Sequence, residues 1–288
     1  MSTVLSSMSE IVRVGGWALR GIGYPFGVAE RGVRLLAWTE AAGGEAIKHL
    51  RLSEAAVERS HAATPCERTG DVGSGRTIRA NGRHLIEIGP PAIDLVTHDA
   101  RHASVGCVAV DGVFGFGFLP SLANLLAHRK LSGMFLYGTI SADRPPEGWS
   151  RTGWLAIETT AEAPLFAHGA LEGKAGAALR DTLAKAEDTP SSRLLRGAIE
   201  DFAAPSQPGH VTVLATSDAD GLVRDLVAAA RSLSGDVTTP DLPRRVAHAL
   251  SHGIPMAAED LKYLYDLELR TWAPTSERSR SQAGYGVF

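Results

Sequence analysis

The chain reads as a mixed α/β protein, a layered core with helical N- and C-terminal parts. Three observations predict this. Apolar residues repeat at helical spacing through both ends. Helical and strand patterns alternate through the middle, as in a layered core. The 288 residues are 44% hydrophobic, enough to bury one large core or two modest ones. The expected organisation is a helical segment over 1–82, an α/β core over 83–235, and helices with a polar tail over 236–288, packed as one unit.

In chain order, Ser7-Met8-Ser9-Glu10 forms a capping-box pattern, and Ile11, Val14 and Ala18 follow at helical spacing. Gly21 and Gly23 end that helix. Pro25 suits the opening of the next, whose stripe is Ala29, Val33 and Leu36 and whose stop is Gly43-Gly44. Ser53 to Ser60 predicts a further helix. Thr64 to Gly82, rich in Gly, Pro, Thr and charge, reads as loop. Strands are predicted over 84–88 (stopped by Pro90-Pro91), 104–110, 133–139, 154–160 and 210–216. Helices are predicted over 120–131, 174–187, 191–202, a segment capped by Asp218 or Asp220, 243–252 and 257–271.

Composition narrows the partners. Lys and Arg number 29 against 32 Asp and Glu, with no basic stripe, which argues against nucleic acid. Gly112 to Ala127, the least charged stretch, is too short and too broken by Gly, Pro and Asn to span a bilayer. The first thirteen residues carry Glu10 and lack a signal-peptide layout. Two cysteines, Cys66 and Cys107, make no metal motif or disulfide framework. A cytoplasmic protein with a small-molecule substrate, no nucleic acid and no membrane is expected.

Two stretches resemble the non-Rossmann malate/L-lactate dehydrogenase family, which includes ureidoglycolate and sulfolactate dehydrogenases. One is Gly23-Tyr24-Pro25-Phe26-Gly27-Val28-Ala29-Glu30, similar to the family's Gly-x-Pro turn before a long helix containing Ala-Glu. The other is Phe114-Gly115, a helix through Ala127, then Leu131-Ser132-Gly133 and an apolar strand. The chain also resembles a bacterial domain family of unassigned function, at Arg20 through Arg34 and at Pro274 through Arg280. The resemblance implies the dehydrogenase fold and a homodimer. It also marks departures. Where the family has an Asp-Ser-His-Gly motif with its acid/base histidine, Glu40 to Leu52 offers His49 alone. Val113 replaces a histidine before the Phe-Gly turn, and Ile140-Ser141-Ala142-Asp143 replaces the Gly-Thr-Asn-Pro cofactor segment. No cofactor is therefore expected.

The candidate catalytic residues are Tyr24, Glu30 and His49. The candidate substrate-binding residues are Arg20, Arg34, Arg278, Ser279 and Arg280, since paired arginines hold a carboxylate or phosphate bidentately. Glu30 and Arg34, four apart, also fit a surface ion pair. Cys66 beside Arg68 reads as a spectator thiol, and Cys107 as core. His98 and His102 have the spacing of a metal pair but no third ligand, so no metal is expected. The leading expectation is a catabolic enzyme acting on a carboxylate-bearing substrate without a redox cofactor: a lyase, isomerase or ring-opening hydrolase. The alternatives are an NAD(P)-dependent oxidoreductase with divergent motifs and a non-catalytic binding protein on the same fold.

Overall fold

A computed structural model describes residues 2–61, 67–69, 75–139, 149–203, 209–217, 221–232 and 237–272. It opens with β1 (Thr3–Ser6), α1 (Met8–Gly21), α2 (Phe26–Gly43) and α3 (Ala46–His61). The middle holds β2 (Glu67–Thr69), β3 (Arg76–His84), α4 (Leu85–Ala103), β4 (Val105–Phe114), a 3₁₀ turn (Phe116–Phe118), α5 (Leu119–His128), β5 (Ser132–Gly138), β6 (Thr152–Glu158) and β7 (Leu165–Ala170). Then come α6 (Gly173–Lys185), α7 (Pro190–Ala203), β8 (His210–Thr216), α8 (Leu222–Ser232), β9 (Val237–Thr238), α9 (Leu242–His252), β10 (Ile254–Ala257) and α10 (Ala258–Arg270).

Among the described residues eight strands form one sheet in the order β2-β3-β4-β8-β5-β6-β7-β9, with only β3 and β4 parallel. That parallel pair needs a crossover, which α4 supplies. The central strand β5 is buried on both faces and reads as a continuous apolar run. Its Phe135 and Tyr137 join the core beneath α1–α5, α9 and α10. Met134 and Leu136 face the second core, under α6, α7 and α8. Helices on both faces give three layers.

Local chemistry explains the predicted boundaries. Ser7 caps α1, its side chain accepting from the Glu10 amide at 3.0 Å. The Glu10 carboxylate also accepts from the Tyr265 hydroxyl at 2.7 Å and the Ser6 hydroxyl at 2.8 Å, and these bonds, with the Ser7 amide, hold its pKa below the usual range. Pro25 stands at the N-cap of α2, and Gly44 ends that helix at φ 77° with its amide on the Glu40 carbonyl. Ala29, Val33 and Leu36 are buried as their spacing requires.

Two sequence expectations are corrected. The stretch read as loop to Gly82 contains β2 and most of β3. The strand expected over 84–88 is the start of α4, which runs through Pro90 and Pro91. A proline inside a helix costs about 3 kcal/mol. Burial of Ile86, Ile88, Ile93 and Val96 on the sheet offsets it, and each buried side chain returns about 1.5–3 kcal/mol. The short β1, β7, β9 and β10 left no readable alternation. The Asp218 or Asp220 cap lies outside the described residues.

Candidate functional site

The fold builds a cavity of about 350 Å³ where the end of α2 meets the start of α3. Its formation begins at Gly44. After the chain turns there, the buried Glu40 carboxylate accepts the Ile47 amide at 2.9 Å, satisfying one of the exposed donors that begin α3. Burial, helped by the neighbouring charge of Asp260, holds the Glu40 carboxyl up at about 7 against that hydrogen bond. The restarted helix carries Glu45 and His49 into the cavity, and the Ser53 hydroxyl donates to the His49 carbonyl at 2.9 Å.

The facing wall is the Phe-Gly turn. Gly115 adopts φ 91°, and a Cβ there would lie 2.3 Å from His84 Nε2, so only glycine fits. His84 reaches the turn from the parallel strand, where it pairs with Phe114. Its ring stands edge-on to Phe114 at 4.8 Å and to Phe118 at 5.2 Å. Its Nδ1 accepts the Ile86 amide at 3.0 Å, which places the proton on Nε2, and burial with His49 nearby pushes its pKa down to about 3. Gly117 then lies against the His49 ring, with room for a Cβ 3.5 Å from Cδ2.

His49 Nε2 is buried and makes no hydrogen bond among the described residues; Glu45 Oε2 is 3.8 Å away. A 2.9 Å bond from Lys48 holds the Glu45 carboxyl below its usual range, so it is ionised at neutral pH. Across the cavity His168 of β7 is buried, stacked on Trp149 at 4.1 Å, and burial pushes its pKa down to about 4. The exposed Arg245 of α9 completes the polar set, its Nη1 donating to the Ala42 carbonyl at 3.4 Å. Gly43, Gly117, Pro120, Trp149 and Leu242 contribute flat, apolar wall, with Thr39 and Thr238 among the rest of the lining.

Of the predicted site residues, His49 lies in this cavity. Arg20, Glu30 and Arg34 come together in a separate cleft of about 300 Å³ between α1 and α2. Tyr24 lines neither; it is 3% exposed beside Arg83, Glu87 and Tyr263, and burial raises its pKa far above the usual tyrosine value. Arg278, Ser279 and Arg280 lie outside the described residues, as does Cys66. Cys107 sits half-buried on β4. His98 and His102 form an exposed pair on α4, and no group of three metal-ligating side chains occurs among the described residues. Sequence reasoning missed Glu45, Trp149, His168 and Arg245. Glu45 stands four positions before His49, a helical spacing that could have found it, whereas Trp149, His168 and Arg245 come from segments far apart in the chain.

No protein-family model and no curated protein matches the chain. Solved structures do share its fold. Malate dehydrogenase from Pyrococcus horikoshii OT3 aligns over 95% of this chain and 97% of its own at TM-score 0.65 and 11% identity. Sulfolactate dehydrogenase from Methanocaldococcus jannaschii aligns over 92% and 96% at TM-score 0.61 and 12% identity. Delta1-piperideine-2-carboxylate reductase from Pseudomonas syringae pvar. tomato aligns over 92% and 99% at TM-score 0.60 and 14% identity. The fold is thus malate/lactate dehydrogenase-like, as the Gly23–Glu30 and Phe114–Gly133 stretches implied. The expectation of a lyase, isomerase or hydrolase working without redox chemistry is overturned, because these structural neighbours are two dehydrogenases and a reductase. No described helix is long and apolar enough to cross a membrane.

Proposed function

We propose that this chain is an NAD(P)-dependent oxidoreductase that interconverts a small 2-hydroxy acid and its 2-oxo acid. The observation that carries the reading is His49, an imidazole on the cavity wall whose buried Nε2 has no protein hydrogen-bond partner among the described residues. A buried polar atom left open in a cavity is costly unless a ligand completes it. The fold supports the redox class, and each compound in the three named enzymes carries a carboxylate.

A nicotinamide fits the flat walls at Gly43, Gly117, Pro120 and Trp149, where missing side chains and a ring face allow close stacking. About 350 Å³ holds a ring and a small acid, near the lower end of ligand cavities, so the rest of a dinucleotide lies outside it. When bound, that cofactor supplies the two-electron acceptor or donor. The residues of this chain handle the proton and the acid group. His49 Nε2 takes the hydroxyl proton as C2 gives up a hydride, and returns it in the reverse direction. Arg245 pairs with the carboxylate through its N–H fork. His168, neutral at pH 7, offers a hydrogen bond without adding charge. Trp149 shields the reacting carbon from water.

A substrate-bearing homodimer in the cytoplasm is part of this proposal, supported by the family resemblance and checked by sedimentation. The decisive experiment is a thermal-shift titration with NADH and NADPH, followed by turnover with pyruvate, oxaloacetate and 3-sulfopyruvate. Stabilisation by one nucleotide and oxidation of it with one acid are expected. His49→Gln should retain nucleotide binding and lose about 100-fold or more in turnover. No shift with either nucleotide, or full activity in His49→Gln, overturns the reading.

A further inference from the structure

We propose that the cleft between α1 and α2 is a second ligand site, separate from the His49 cavity, for a small anion carrying an aromatic ring. The two helices approach closely where Gly15 and Gly16 face Val33. Beside that contact a space of about 300 Å³ opens, with Trp17 and Arg20 from α1 facing Phe26, Glu30 and Arg34 from α2. The three α2 residues are spaced i, i+4, i+8 and share one helix face.

Three features point to a ligand. The Arg20 guanidinium is held between two rings, 4.5 Å from the Trp17 centroid and 5.5 Å from that of Phe26. Such stacking fixes the plane and leaves the N–H edges available for bidentate pairing. Secondly, neither Arg20 nor Arg34 has a carboxylate within 4.0 Å among the described residues, and the spacing-allowed Glu30–Arg34 pair is not made. Arg13, the third arginine on this wall, is engaged by Glu268 at 3.3 Å. Two unpaired guanidinium groups against one carboxylate leave the cleft net positive. Thirdly, Trp17 and Phe26 are 43% and 61% exposed, so ring faces flank the cations and remain open to solvent. The matching ligand has an aryl group for the rings and a carboxylate or phosphate for the arginines.

This inference does not depend on the redox reading. It is tested on the full chain by titrating phenyl phosphate, benzoate and inorganic phosphate, followed by tryptophan fluorescence and calorimetry. Saturable binding of an aryl anion, at least about tenfold tighter than inorganic phosphate, is expected from the stacking contribution. Phenyl phosphate against benzoate decides which anionic group is preferred. The Arg20→Gln/Arg34→Gln double variant should weaken binding at least about tenfold with an unchanged melting temperature, because exposed arginines add little to folding. His49→Gln should bind these probes as the unaltered chain does. The proposal is overturned if no aryl anion binds at millimolar concentration, if the double variant binds undiminished, or if His49→Gln abolishes binding. It is equally overturned if Trp17→Ala/Phe26→Ala converts a dimer to a monomer while no anion binds, which would make this face a subunit interface.

Discussion

At the scale of single residues, the candidate site depends on positions where one atom decides. Gly115 is the clearest. Its left-handed φ and the His84 ring against it exclude any side chain. Gly115→Ala should destabilise the protein by about 2 kcal/mol or more, read as a lower denaturation midpoint at unchanged slope. The glycine was visible in the sequence as part of a Phe-Gly turn. Its partner was not, because His84 lies 31 positions earlier and arrives through the register of a parallel strand pair. That imidazole stands edge-on to Phe114, directly after the position where the family pattern has histidine and this chain has Val113. The turn is thus packed by a histidine from the neighbouring strand.

At the scale of elements, the α2–α3 junction sets where His49 stands. Glu40 closes it by accepting the Ile47 amide from a position 2% exposed. Its raised pKa has a consequence for stability, and the sign follows from linkage. The unfolded chain loses this proton near 4.5, while the folded chain keeps it to about 7. The unfolded state therefore binds fewer protons between those values. Stability from this group is fully present below about pH 4.5 and is lost as pH rises through 7. The loss is on the order of 3 kcal/mol. Glu40→Gln keeps an acceptor for Ile47 and cannot ionise. Urea melts should show it more stable than the unaltered chain at pH 8.5 and little different at pH 4.5. Equal pH slopes in both proteins would show that Glu40 does not titrate there.

At the scale of the whole molecule, the first and last described elements are joined. β1 pairs antiparallel with β10, Thr3 opposite Ala257 through Ser6 opposite Ile254, and α1 packs on α10 with Arg13 beside Glu268. A two-stranded ribbon is marginal alone, so it draws its stability from those helices. Removing residues 2–6 should lower stability by about 1–2 kcal/mol, through the lost ladder and the lost Ser6–Glu10 bond. Hydrogen exchange should show the loosening first at 254–257.

What the sequence determined by itself was local and periodic. Ser7 as a cap, Gly44 as a stop, the Ala29–Val33–Leu36 stripe and the strands expected over 104–110, 133–139 and 210–216 follow from spacing and backbone chemistry, which act over a few residues. His49 was found because one stretch of chain could be set beside a family pattern. Tertiary structure alone decided the rest. Pro90 and Pro91 sit inside a helix because burial outweighs their local cost. Trp149, His168 and Arg245 line one cavity with His49 because the segment before β6, together with β7 and α9, returns to the end of α2 after more than a hundred residues. Arg20 and Arg34 share a cleft apart from His49 because they lie beside the α1–α2 contact, whereas His49 follows the turn at Gly44. Contacts between distant segments are set by which apolar faces must be buried together, and no short window of sequence contains both faces.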